Sequence, residues 1–402
     1  MGAESATIAA LHVDYVQILS RLIEIDTSGA DGKGCREAMA FLAPRFRVAG
    51  LEPVPIEIPS EAAGGRPGRM ALVCHRRRQG KDRLLIYTHI DVVPAEGWDA
   101  FKARRADGRV FGRGAADMKG SVAALLGALW QVRNTPLAYD LSVLVTMDEE
   151  TSQSPQLEYL TSALDPGPRP HVLSMDAGFG YVSIANLGLL QLDVAVKGDS
   201  VHSGLAHLGR NAVEDANRLI HALLLLKETV VRRRSNLKTH PDTRLDVMEP
   251  RLNVNRIKGG LAPNIVPDSC VFSVDRRLLP SESVDEARAE IFQALRSVPA
   301  VEWSIQRDFA IPPVAPCDDT EADVLAHILR DVTGSSGLYG DMISGDLPGA
   351  ATRLWGGKVF GLGVIRPESR IHGIDECVIE RDMEQLVEVL VRFLTGNRKE
   401  AA

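Results

Sequence analysis

Five separated segments of the chain end an apolar run on a histidine or a carboxylate. They are Thr88-His89-Ile90-Asp91, Gly112-Arg113-Gly114-Ala115-Ala116-Asp117, Asp148-Glu149-Glu150, Met175-Asp176 and Ile371-His372-Gly373. Imidazole and carboxylate groups are the donors that suit divalent cations such as zinc, cobalt or manganese. Two imidazoles and three carboxylates can hold two such ions if one carboxylate bridges them. A spare Glu beside the set can then serve as a base toward an activated water. The set therefore points to a two-metal hydrolase. Taken singly, each member has a plainer reading: a His89–Asp91 pair capping a loop, an N-cap at Asp117, a solvated acidic loop at Glu149-Glu150, a turn aspartate at Asp176, a loop histidine at His372.

These side chains need a scaffold that delivers loops to one place. Leu84-Leu85-Ile86-Tyr87, Leu141–Val145 and His171–Met175 are short apolar runs, the mark of strands buried on both faces. His89 and Asp91 follow the first of these and, by strand alternation, share a side. Helical spacing over 8–28, a second helix near 35–49 and a helix over Met118–Val132 alternate with strands, including strands near 51–58 and 70–76. That alternation predicts an α/β fold. The small residues Gly120, Ser121, Ala123, Ala124, Gly127 and Ala128 suit the third helix to close packing.

After Asp176 the pattern changes. Leu189–Val196 alternates as a half-exposed strand, Asn211–Glu228 is a long amphipathic helix, and Leu252–Ile257, Cys270–Val274, Ser283–Leu295 and Val301–Ile305 read as strand, strand, helix, strand. The α/β pattern resumes from about 308, with a helix at 320–332, a strand at 358–362 and a terminal helix at 382–395. The expected organisation is a discontinuous mixed-sheet domain with helices on both faces (1–186 and 308–402), carrying the metal site, and an inserted α+β, ferredoxin-like domain (187–307).

Composition narrows the function classes. A chain of 402 residues that is 45% hydrophobic and 25% charged has the make-up of a soluble globular protein. Its net charge of −7 offers no global positive field to gather nucleic acid or anionic lipid. No apolar stretch approaches the roughly 20 residues of a membrane span, and the N-terminus opens no secretory signal pattern. The five cysteines are scattered without CxxC spacing, which fits free thiols in the cytoplasm better than a disulfide framework.

The segments His89-x-Asp91-Val92-Val93-Pro94, Trp98, Phe111–Gly120, Asp148-Glu149-Glu150 and His372-Gly373 resemble the co-catalytic zinc metallopeptidase superfamily of acetylornithine deacetylase, succinyl-diaminopimelate desuccinylase, aminoacylase-1 and carboxypeptidase G. The resemblance extends over nearly the whole chain. It implies that Asp117 bridges two zinc ions, with His89 and Asp176 completing one and Glu150 and His372 the other. Asp91 would orient His89, and Glu149 would be the general base; spacing alone cannot choose between the neighbours Glu149 and Glu150. The inserted domain is similar to the family's lid, which also dimerises. Val201-His202-Ser203-Gly204 resembles the segment whose His stabilises the oxyanion, in its own or a partner subunit's site. Asn264-Ile265-Val266-Pro267 and Asp275–Pro280 match lid motifs, which makes Asn264 and Arg276 substrate-binding candidates, Arg276 as a carboxylate clamp.

The expected activity is cleavage of an amide bond in a small N-acyl amino acid or dipeptide-like substrate. Hydrolysis of a carbamoyl or arylamine C–N bond on the same scaffold is the rival, and a non-enzymatic binding protein the more distant one. The chain departs from the family pattern in three places. Ser344–Gly349 stands where a Gly-Gly-Thr-Asp-like segment is common, Asp176 stands where many members have Glu, and Leu187 replaces a basic residue at the lid entrance.

Overall fold

The computed structural model describes residues 14–151, 154–335 and 337–397. The start of the expected 8–28 helix lies outside the described residues. The chain divides into two compact units. The first comprises residues up to Ile184, Cys317–Tyr339 and Asp346 onward; the second is Ala185–Pro316 with Gly340–Gly345.

The strands, in chain order, are β1 (Glu52–Ile58), β2 (Arg69–Arg76), β3 (Arg83–His89), β4 (Arg104–Ala106), β5 (Arg109–Phe111), β6 (Asp140–Thr146), β7 (His171–Ser174), β8 (Val182–Asn186), β9 (Gly188–Lys197), β10 (Arg251–Gly259), β11 (Ser269–Leu278), β12 (Trp303–Ile311), β13 (Leu338–Asp341), β14 (Lys358–Gly361) and β15 (Cys377–Ile379). The main sheet runs β1-β2-β6-β3-β7-β14-β8-β13. Its centre is parallel: β3 pairs in parallel with β6 and β7, and β14 with β7. The two flanks are antiparallel where β1 meets β2, β2 meets β6 and β14 meets β8.

Parallel neighbours put their C-terminal ends on one edge, and that edge is where open α/β sheets bind ligands. Here the register aligns His89 with Thr146 and Tyr87 with Ser174. The segments that carry His89, Glu149 and Asp176 therefore leave the sheet side by side. Apolar content drives this arrangement: every residue of β6 is buried, as are Leu84 to His89 of β3. The small residues of helix Gly120–Gln131 do the expected packing. A Cβ on Gly127 would stand 3.1 Å from Tyr15 and 3.3 Å from Val387, on the helices Tyr15–Glu24 and Glu380–Thr395.

A three-stranded sheet, β15-β5-β4, supplies the last link. Cys377 pairs with Phe111 and Ile379 with Arg109 in antiparallel register. That pairing joins the chain just after His372 to the chain just before Asp117, across more than half the sequence.

The inserted unit is a β-α-β-β-α-β arrangement with sheet order β10-β11-β9-β12, all antiparallel. This is the ferredoxin-like topology. Helices Ala212–Val230 and Val284–Arg296 share its core with Leu190, Leu192, Val194, Phe272 and Val274. The expected boundary at 307/308 falls inside β12, which stays paired with β9 as far as Ile311 and Leu189. Helices Ser154–Leu164 and Asp346–Trp355 were not expected from the sequence. In the second, Pro348 and Gly349 in the opening turns obscure the helical pattern. No helix among the described residues is long and apolar enough to cross a membrane.

Candidate metal centre

The structure gathers six of the candidate residues into two groups on the parallel-strand edge. His89, Glu149 and Asp176 form one; Asp117, Glu150 and His372 form the other. Within each, the donor atoms lie within 4.8 Å of one another. Asp117 links the two: its Oδ1 stands 3.4 Å from His89 Nε2, and its Oδ2 is 3.2 Å from His372 Nε2. His372 Nε2 is also 3.3 Å from Glu150 Oε1. One carboxylate thus offers one oxygen to each histidine.

Local backbone explains how Asp117 reaches this position. It is not an N-cap: Lys119 holds that place on helix Gly120–Gln131, with no capping side chain. Residues Ala115–Lys119 instead form an irregular turn in which Asp117 and Met118 leave helical φ/ψ, and the Asp117–Met118 peptide is cis. Gly114 turns at φ 81, and a Cβ there would meet Val92 at 2.6 Å. Only glycine fits that approach.

Asp91 ties two members together. Its Oδ2 accepts from the Glu150 backbone N–H at 3.0 Å. The aligned partner of His89 Nδ1 is the Asp91 carbonyl at 3.2 Å, while the Asp91 carboxylate Oδ1 is 3.4 Å away. Main chain and side chain of Asp91 therefore both face the ring nitrogen.

The electrostatics suit cations. Five carboxylates (Asp91, Asp117, Glu149, Glu150, Asp176) converge with two imidazoles. Burial lifts the Glu149 carboxyl well above its usual range; His89 opposes this, and Asp176, Glu150 and Asp91 reinforce it. Asp117 and Glu150 raise the His372 ring to about 10. At His89 burial opposes the charged ring, but Asp117 and Asp91 prevail and its pKa stands well above the usual value. In the absence of metal, protons on the imidazoles balance some of the carboxylate charge. His89 Nε2 and Glu150 Oε1 are buried with no aligned hydrogen-bond partner. Buried polar atoms of this kind are normally satisfied; one divalent ion in each group would satisfy them, so the donor set fits a pair of such ions.

The other candidates lie in the inserted unit. His202 is exposed, and its Nδ1 accepts from the Gly204 N–H at 3.1 Å. Asn264 is exposed, and its carbonyl accepts from the Ser203 N–H at 3.0 Å. Arg276 requires a correction. It lies on the helix-covered face of β11, only 1% exposed, with its guanidinium bound to Glu282 and to the Arg277 carbonyl. Strand parity turned it into the core, so it has no free fork for a carboxylate. Sequence reasoning also passed over Glu376, a buried carboxylate that pairs with Arg113 at 2.7 Å. Its position four residues after His372 gave no periodic signal.

Residues 85–396 match the model of Peptidase family M20/M25/M40. An acetylornithine deacetylase of Pectobacterium carotovorum subsp. carotovorum is 31% identical over 224 residues, which is 55% of this chain and 56% of that protein. The chain thus spans about half the length of that relative. Among solved structures, an M20 family metallo-carboxypeptidase from Sulfolobus solfataricus superposes with a TM-score of 0.78 at 18% identity, covering 95% of this chain and 98% of the other. A protein of Bacillus subtilis described as a dinuclear metal-binding peptidase of the M20 family gives a TM-score of 0.65 at 10% identity, covering 96% and 99%. These two share the fold. With the family model matching most of its length, the chain belongs to Peptidase family M20/M25/M40.

Proposed function

We propose that this protein is a dinuclear metal-dependent amidohydrolase acting on a small N-acyl amino acid or dipeptide-like substrate. The observation that carries the reading is the division of the Asp117 carboxylate between His89 and His372. His89 and Asp176 would complete one ion's shell, Glu150 and His372 the other's, with Asp117 common to both. Zinc is the expected ion, and cobalt or manganese suits the same donors. Two bound ions would lower the pKa of a shared water and polarise the scissile carbonyl.

The chain's own residues supply the rest. Asp91 holds His89 through Nδ1 and Glu150 through its backbone N–H. Glu149, adjacent to His89 and Asp176, takes a proton from the attacking water on a carboxylate oxygen and returns it to the leaving nitrogen. His202 donates to the oxyanion. Its tautomer suits that role: Nδ1 accepts from the Gly204 N–H, so the neutral ring carries its proton on Nε2.

His202→Ala should lower kcat by roughly 10²–10³, the usual cost of one oxyanion donor, with metal content unchanged. Near-normal turnover would reduce His202 to a surface residue. Gly204→Pro and Gly204→Ala place the same Cβ near His202 Nδ1, but only the first removes the N–H. A kcat deficit confined to the proline variant would support tautomer control. If His202 serves the partner's site, mixing Glu149→Gln and His202→Ala subunits restores part of the activity.

The chain is read as a cytoplasmic homodimer. Its cysteines are free. Within the inserted unit Leu224 and Leu225 on helix Ala212–Val230, and Ile257 on edge strand β10, are each about half exposed. Light scattering on purified protein should return twice the chain mass, and a monomer at micromolar concentration would remove the dimer. The reaction itself is tested by offering the metal-loaded protein a panel of N-acyl amino acids, dipeptides and ureides. Turnover of ureides alone would move the assignment to carbamoyl C–N hydrolysis.

A further inference from the structure

We propose that the buried Arg113–Glu376 pair is a positioning device that sets the separation of Asp117 and His372, so that the Asp117, Glu150 and His372 group is formed before a cation arrives. This rests on the two-ion reading above. Glu376 is 1% exposed and Arg113 3%. Burying a carboxylate and a guanidinium costs desolvation that apolar residues would not incur, so such a pair is a poor device for stability alone. It is a good one for geometry, because every bond it makes is directional.

The bonds fall on the two ligand-bearing segments. Glu376 Oε1 accepts from the backbone N–H groups of Ala116 at 3.1 Å and Asp117 at 3.2 Å. Its Oε2 takes Arg113 Nη1 at 2.7 Å, and Arg113 Nη2 donates to the His372 carbonyl at 3.2 Å. The Glu376 carbonyl also accepts from the Gly112 N–H at 2.9 Å. One carboxylate and one guanidinium therefore hold the main chain of both residues whose side chains meet at Asp117 Oδ2 and His372 Nε2. The His372 segment needs such support. Arg370, His372 and Asp375 all adopt positive φ (52°, 62° and 58°) without being glycine. Backbone of that kind persists where surrounding contacts over-determine it. The Trp98 ring, 5.8 Å from the Arg113 guanidinium, adds a second face of contact.

The two residues would act through the ligands and touch no reacting atom. The test is a cobalt titration of chelator-stripped protein, followed by visible absorption and elemental analysis, on wild type, Glu376→Gln, Arg113→Met and Arg113→Lys. The metal-free melting temperature is recorded for each. Wild type should take two equivalents. Glu376→Gln and Arg113→Met should weaken one equivalent about 10–100-fold relative to the other, the usual effect of losing a partner that orients a ligand. Arg113→Lys keeps a charge beside Glu376 but cannot also span to the His372 carbonyl, so it should fall between. A merely structural pair would lower the metal-free melting temperature and leave the ratio of the two affinities unchanged, which overturns the proposal. Should Glu376→Gln fail to fold, Arg113→Lys decides by the same ratio. Fewer than two equivalents in wild type would remove the two-ion reading, and this proposal with it.

Discussion

Glu149→Gln is expected to lower kcat by on the order of 10²–10⁴, the contribution of a general base, while the protein still binds two metal equivalents. The amide is nearly isosteric with the carboxylate but cannot hold the water's proton. Glu149 stands in the group with His89 and Asp176, and Glu150 in the group with Asp117 and His372. Because each neighbour faces a different group, the substitution separates their roles. Elemental analysis of the variant showing one equivalent would make Glu149 a ligand and shift the base role to Glu150. Two equivalents with near-wild-type kcat would leave the reaction without the proposed base.

Removal of metal should abolish turnover, and added Zn²⁺ or Co²⁺ should restore it. Activity in protein shown by elemental analysis to be metal-free would end the two-metal reading. The imidazole pKa values add a sign to this prediction. With His372 raised to about 10 by Asp117 and Glu150, the metal-free ring is protonated at pH 7. A cation must displace that proton, since ligands bind deprotonated. Metal affinity should therefore rise with pH through the neutral range, as both imidazoles are raised above their usual value. Calorimetry at pH 7 in buffers of different ionisation enthalpy should register proton release on binding. A buffer-independent heat would show that no proton is displaced.

Local pattern was sufficient for much of this. Leu84–Tyr87, Leu141–Val145 and His171–Met175 read as buried strands because a strand covered on both faces has no polar alternation, and each appears at the centre of the main sheet. The alternation of Leu189–Val196 and the long apolar stripe of Asn211–Glu228 likewise announced the inserted unit. The candidate ligands were legible for the same reason: they sit where apolar runs end, and the chemistry of His, Asp and Glu is local to each side chain.

Three features were not legible. Arg276 and Arg277 are adjacent in sequence, and which faces the helices depends on the parity of β11 against its neighbours, a property of the assembled sheet. Asp117 reads as a helix cap until the turn at Ala115–Lys119 is seen to aim it elsewhere. The pairing of β5 with β15, and with it the Arg113–Glu376 bridge, joins segments more than 250 residues apart, and no short-range periodicity encodes it. The types of candidate ligand and the strands that carry them follow from neighbouring residues and the burial they demand. The sharing of Asp117 between two histidines follows from chain closure, because an oxygen reaches two partners only when distant segments are brought together.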